Sequence, residues 1–176
     1  MNRKQIFVST MLFVMAASSA LGTTGDGTPP VTFVMDPDFW LSTSINVVGT
    51  ALFLTRVHWP AASKWFGYGT ELLGIPALVF GILDITHGTV DFSTWAKLAY
   101  SAWALYAFSV DHIFQIEYRD PRKPGIIVPY VVAYYIGIGT LAAAQFGSGI
   151  APWAVAGVTC IAAVAASFYA RAKGAD

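Results

Sequence analysis

Ionisable side chains that fall inside long apolar stretches are the residues of this sequence best placed to do chemistry. They are three carboxylates, Glu71, Asp84 and Asp111, and two histidines, His87 and His112. An ionisable group inside a membrane costs about 2.5–3.5 kcal/mol on insertion scales, so each one requires a partner or a function. A carboxylate beside an imidazole can pass a proton, orient a base or hold a ligand.

The predicted depth of these side chains divides the candidate binding residues into two groups. The inner group consists of Glu71, Tyr100, Asp111, His112, Tyr130 and Tyr134. The outer group consists of Asn46, Asp84 and His87, with Gln145 expected at a similar depth. Asp84 and His87 share a helix face because they are spaced i, i+3; the alternative interpretation is an interfacial histidine that is paired locally. We expect the function to lie in the inner group.

The stretch that contains Asp111 carries a stripe of residues at helical spacing. Tyr100, Ala104, Ala107 and Asp111 fall on one face of a helix. Two small residues between two polar ones are compatible with a groove that leads to Asp111. They are equally compatible with a neighbouring helix that packs closely on the alanines and hydrogen-bonds Asp111.

Proline and glycine residues mark the stretch that contains Glu71. Glu71 lies five residues before Pro76, which is expected to kink the helix and leave a backbone carbonyl without its usual partner. Such kinks often lie at binding sites of transporters, although they are common in membrane helices generally. Ideal helix geometry places Glu71 and Asp84 roughly 140° apart around the axis, which argues against a simple channel wall.

The elements that must position these residues are predicted from composition and hydropathy. Only 11% of the residues are charged and 56% are hydrophobic, whereas a soluble domain has about 25% charged residues. Apolar segments of about the length that crosses a bilayer cover residues 5–22, 39–57, 66–87, 94–116, 125–146 and 151–170. The sequence therefore predicts an all-α integral membrane bundle of six transmembrane helices, forming one domain over residues 1–176. The stretch HWPAASKW is predicted as the loop between the second and third segments.

The distribution of basic residues predicts the orientation of this bundle. Nine of the ten Lys and Arg residues fall on one side, and Lys97 is the exception. The nine are Arg3, Lys4, Arg56, Lys64, Arg119, Arg122, Lys123, Arg171 and Lys173. The positive-inside rule makes that side cytoplasmic, so both termini are expected in the cytoplasm. The expected location of the protein is a prokaryotic cell membrane.

The first segment has two interpretations. Its basic start, short apolar stretch and small residues before Ala20 resemble a secretory signal peptide, whose removal would leave five helices. The alternative, which we favour, is an uncleaved first helix.

Partners and cofactors are constrained only in part. Zero net charge gives no electrostatic argument for nucleic acid. The single cysteine, Cys160, excludes a Cys-rich metal site, and no metal site or cofactor is predicted. In segment six, Ala162 with Ala166 and Ala163 with Ser167 have small-xxx-small spacing, which suits packing within the chain, a homo-oligomer or a larger membrane complex.

Three functions are compatible with these features. The first is a small membrane protein that binds or transports a ligand or ion through its intramembrane carboxylates and histidines. The second is an accessory subunit of a larger complex that binds lipid, pigment or a partner chain. The third is a membrane enzyme that acts on a lipid or isoprenoid by acid–base chemistry, although no catalytic residue can be assigned.

Overall fold

The structure is a computed structural model that describes residues 36–117 and 123–175. All regular elements in these ranges are helical, which confirms the all-α part of the prediction for these residues. The helices are α1 (Pro37–His58), α2 (Pro60–Leu72), α3 (Gly74–His87), α4 (Phe92–Phe108), α5 (Pro124–Ala144) and α6 (Ile150–Ala172). A π-helical turn, Ser109–Ile113, follows α4, and a 3-10 turn, Gln145–Ser148, follows α5. The predicted segment 5–22 lies outside the described residues.

Three helices in the described ranges are long and apolar enough to cross a membrane. They are α2 and α3 taken together (Pro60–His87), α5 with its 3-10 turn (Pro124–Ser148), and α6 (Ile150–Ala172). Their outward faces carry large apolar side chains, such as Trp65 at 76% exposure and Ile161 at 70%. Exposure of so many large apolar side chains is unfavourable in water but favourable in the lipid of a membrane. The count of six spans and the side of each terminus remain predictions.

The prediction of a loop at HWPAASKW is wrong, because most of this stretch is helical. Helix α1 continues to His58, and α2 already begins at Pro60, so only Trp59 separates them. Proline is favoured in the first turn of a helix, where its missing N–H is not needed. Pro60 therefore starts a helix here, although proline and serine in this stretch had indicated a turn.

The long span Pro60–His87 is interrupted at Leu73, three residues before Pro76. Pro76 has no N–H, and its ring clashes with the carbonyl four residues earlier, which belongs to Leu72. The predicted distortion of this segment is therefore present, and it separates α2 from α3.

Helix α4 supplies hydroxyl donors on both sides of this interruption. The Tyr100 hydroxyl donates to the Thr70 carbonyl at 2.7 Å. The Ser101 hydroxyl lies between two carbonyl oxygens, at 2.7 Å from that of Lys97 and 3.1 Å from that of Gly74. Gly74 lies directly against Ala104, so the two helices approach closely at this level. The small residues of α4 thus serve close packing, while its polar residues bind the carbonyls of the interrupted helix.

The remaining contacts arrange the other helices around this pair. Helix α4 also packs against α5, and α1 packs against α6. In α6, Ala163, Ala166 and Ser167 are buried within the chain, whereas Ala162 is exposed. The prediction of an oligomer or larger complex through segment six stays a prediction.

Segment four ends earlier than its predicted boundary at residue 116. Helix α4 stops at Phe108, and the next five residues form the π-turn that carries Asp111 and His112. Gln115 then adopts a φ of 48°, a left-handed conformation that is uncommon outside glycine. π-Helical turns are rare and are often found at functional sites.

Candidate functional site

Lys97 forms the centre of the first polar cluster. Its ammonium lies 2.7 Å from Asp38 Oδ2 and 2.6 Å from Asp84 Oδ2, and its side chain is only 2% exposed. Sequence reasoning placed Asp84 in a candidate site but treated Lys97 only as an exception to the charge distribution. A lysine inside an apolar helix was the available signal, because a buried ammonium requires a carboxylate partner.

Two hydroxyl groups complete the Lys97 cluster. Thr94 Oγ1 donates to Asp84 Oδ2 at 3.0 Å, and Ser93 Oγ donates to Asp38 Oδ2 at 2.5 Å. The cluster therefore joins the start of α1, the end of α3 and the start of α4. Asp38, Asp84 and Lys97 together carry one formal negative charge, which attracts a cation.

The structure does not bring the other members of the outer group to Asp84. His87 is exposed, and its side chain makes no hydrogen bond or ion pair within residues 36–117 and 123–175. Asn46 is buried against α6, where its amide donates to the Ala156 carbonyl and to Thr159 Oγ1, both at 3.4 Å. Gln145 is buried in the 3-10 turn.

Glu71 and His112 form the first pair of the inner group. Glu71 Oε2 lies 2.8 Å from His112 Nε2, and the Glu71 side chain is 8% exposed. The imidazole stacks on Tyr68 at 5.0 Å between ring centroids and lies 5.1 Å from the ring of Phe108. A carboxylate and an imidazole at this distance can share or transfer a proton.

Asp111 forms the second pair, with a different neighbour. The Tyr130 hydroxyl of α5 donates to Asp111 Oδ2 at 3.3 Å. Asp111 and His112 are consecutive residues of the π-turn, so their side chains leave it in different directions and bind α5 and α2, respectively. The inner group thus contains a contact between Glu71 and His112 and a contact between Tyr130 and Asp111.

The two remaining tyrosines of the inner group lie deeper in the interior. Tyr100 is fully buried, with its hydroxyl on the Thr70 carbonyl. Tyr134 packs its ring 4.9 Å from the ring of Trp103, and its hydroxyl lies directly against Gly49 of α1. From the sequence, Trp103 was the one tryptophan expected near mid-membrane, but it was not placed in the candidate site, because its side chain carries no ionisable group.

No group of three or more His, Cys, Asp or Glu side chains in the described ranges is arranged to hold a metal ion. The sulfhydryl of Cys160 lies 3.8 Å from the Ile138 carbonyl, in a half-buried packing position.

No family model, curated protein or solved structure matches this chain. Its class therefore rests on its own helices: three long apolar spans with lipid-compatible outer faces indicate a membrane protein.

Proposed function

We propose that the protein moves a small cation across the membrane by means of acidic sites at both ends of its helix bundle. The observation that carries this proposal is the position of these sites along α4. Lys97, which holds Asp38 and Asp84, lies near the start of α4, and Asp111 lies just beyond its end. The 14 residues that separate Lys97 and Asp111 correspond to about 21 Å along an ideal helix.

The chemistry of the two ends supports movement of a cation rather than an anion. Each end contains carboxylates that bind a side chain of another helix, so each is partly shielded from solvent. The negative charge of a carboxylate attracts a cation and repels an anion. At the inner end, Asp111 lies just beyond α4 and accepts a hydrogen bond from Tyr130 of α5, so we choose it as the carboxylate to test.

Replacement of Asp111 by asparagine tests this function directly. The amide is nearly isosteric but carries no charge and takes up no proton, so cation flux should fall to about a tenth of the wild-type rate or less. The measurement uses purified protein in liposomes with an imposed H⁺, Na⁺ or K⁺ gradient and a dye for each ion inside the vesicles.

The matched control is Glu117→Gln, which removes an exposed carboxylate near the same end of the bundle. This variant should transport at the wild-type rate. If wild-type vesicles are no more permeable than protein-free vesicles to all three cations, the proposed function is wrong. If Asp111→Asn retains full flux while the wild type is active, Asp111 has no role in transport.

The Glu71–His112 pair supports a second candidate function, a membrane enzyme that uses acid–base chemistry. Its neighbours along the chain, Leu72 and Ile113, are 60% and 61% exposed, so the pair lies beside a surface suited to lipid. A lipid-modifying enzyme should change the mass of a co-extracted lipid over time, and Glu71→Gln should stop this change. Identical lipid mass spectra for protein-containing and protein-free samples would exclude this candidate.

A further inference from the structure

Six buried polar atoms lack a hydrogen-bond partner within the described part of the chain. They are Ser42 Oγ, Thr43 Oγ1, Asn46 Oδ1, Trp103 Nε1, Tyr134 Oη and Gln145 Oε1. Buried polar groups in folded proteins are almost always hydrogen-bonded, and each exception needs an explanation. Two other hydroxyls of α1, those of Thr50 and Thr55, bind the carbonyl one turn earlier, so the same local bond was available to Ser42 and Thr43.

The first of these atoms follow one face of α1. Asp38, Ser42 and Asn46 are spaced by four residues, so they occupy successive turns of the same face. Asp38 belongs to the Lys97 cluster. The unpaired oxygens of Ser42 and Asn46 therefore continue from that cluster towards the middle of the bundle.

The remaining steps lead from Asn46 to the inner end. Gly49, one turn beyond Asn46, lies against the Tyr134 hydroxyl. The ring of Trp103 lies 4.9 Å from that of Tyr134 and 5.8 Å from that of Tyr130, measured between centroids. Tyr130 in turn donates its hydroxyl to Asp111. Unpaired polar atoms thus lie between the two acidic ends that the proposed function requires.

We infer that ordered water molecules bind these atoms. The transported cation is then a proton, which passes along these water molecules; this relay rests on the proposed function. Water is the small molecule that can both donate to the oxygens of Ser42 and Asn46 and accept from the N–H of Trp103. A metal cation fits this set poorly, since it requires several oxygen ligands and the indole nitrogen can only donate. Gly49 has no side chain, which allows the Tyr134 hydroxyl to lie against the backbone of α1.

X-ray hydroxyl-radical labelling tests for the bound water independently of transport. Radicals formed from water next to a side chain modify it even where bulk solvent has no access. Trp103 and Tyr134 are 3% and 4% exposed, yet both should be labelled in the purified wild-type protein. Tyr100 is the matched control, because it is also buried but its hydroxyl donates a hydrogen bond to the Thr70 carbonyl. Tyr100 should therefore remain unlabelled. If Trp103 and Tyr134 remain as unlabelled as Tyr100, the water-filled path is refuted.

Replacement of Tyr134 by phenylalanine tests the relay. This change removes the hydroxyl and preserves the ring contacts, so proton flux into liposomes should fall about tenfold. Tyr135→Phe is the control: its hydroxyl is already bound to Ser167 Oγ, outside the path, and its flux should be unchanged. Full flux in Tyr134→Phe would refute the relay while leaving cation transport intact. Absence of proton flux in the wild type would refute the relay together with proton transport, and labelling would still decide whether water is bound.

Discussion

Replacement of Lys97 by methionine should lower the free energy of unfolding by about 3 kcal/mol. Methionine keeps most of the length and apolar volume of the side chain but removes the ammonium. Asp38 and Asp84 then lose their shared counter-charge and repel each other at the junction of three helices. Both carboxylates are partly exposed, so the expected cost lies at the low end of the range for breaking a buried ion pair. Thermal unfolding of the purified protein in detergent, followed by circular dichroism, measures the effect.

A second substitution distinguishes lost charge from lost packing. In the double variant Lys97→Met with Asp84→Asn, only one carboxylate lacks its partner, and the unfolding temperature should rise above that of Lys97→Met alone. Lys64→Met, at an exposed position of α2, controls for the chemical change and should unfold like the wild type. A Lys97→Met protein as stable as the wild type would show that the ion cluster does not hold these helices together.

Replacement of Gly74 by alanine is expected to have the second largest effect on stability, a loss of about 1–3 kcal/mol. A Cβ atom at this position meets the Cβ of Ala104, which is fixed to the backbone of α4 and cannot turn away. The helices must therefore move apart, and the hydroxyl contact from Ser101 to the Gly74 carbonyl is lost with the close approach. Equilibrium unfolding in detergent and denaturant measures this loss.

Gly139→Ala provides the control for Gly74→Ala. Gly139 lies inside α5 with no atom near the position of an added Cβ, so alanine there should stabilise the helix by up to about 1 kcal/mol. Combining Gly74→Ala with Ala104→Gly should recover most of the lost stability, since the pair then has the same volume. If Gly74→Ala unfolds like Gly139→Ala, the close contact does not determine stability.

Hydropathy was sufficient to predict the helical class of the described residues. Residue depth also placed Glu71 and His112 at the same level, where they form a pair. The partnership of Lys97 with Asp38 and Asp84 was not predictable in this way. Its members are separated by as many as 59 residues, and their contact depends on how three helices pack.

Two local features of the backbone also could not be predicted from the periodicity of the sequence. Regular spacing put Asp111 on the face of Tyr100 and Ala104, but the π-turn changes the register after Phe108. Pro60 was interpreted as a turn signal, although the same residue type also starts helices. In both places one pattern of residue types is compatible with two backbone conformations, and tertiary packing selects between them.

The interruption at Leu73 has a mechanical consequence for the whole bundle. The long span Pro60–His87 is fastened to the α4 region at three levels: by Glu71 on His112, by the hydroxyls of Tyr100 and Ser101, and by Asp84 on Lys97. Three attachments along one span prevent it from sliding or rotating against α4 as a rigid rod. Any rearrangement that accompanies a working cycle is therefore expected to carry α2, α3 and α4 together as one unit.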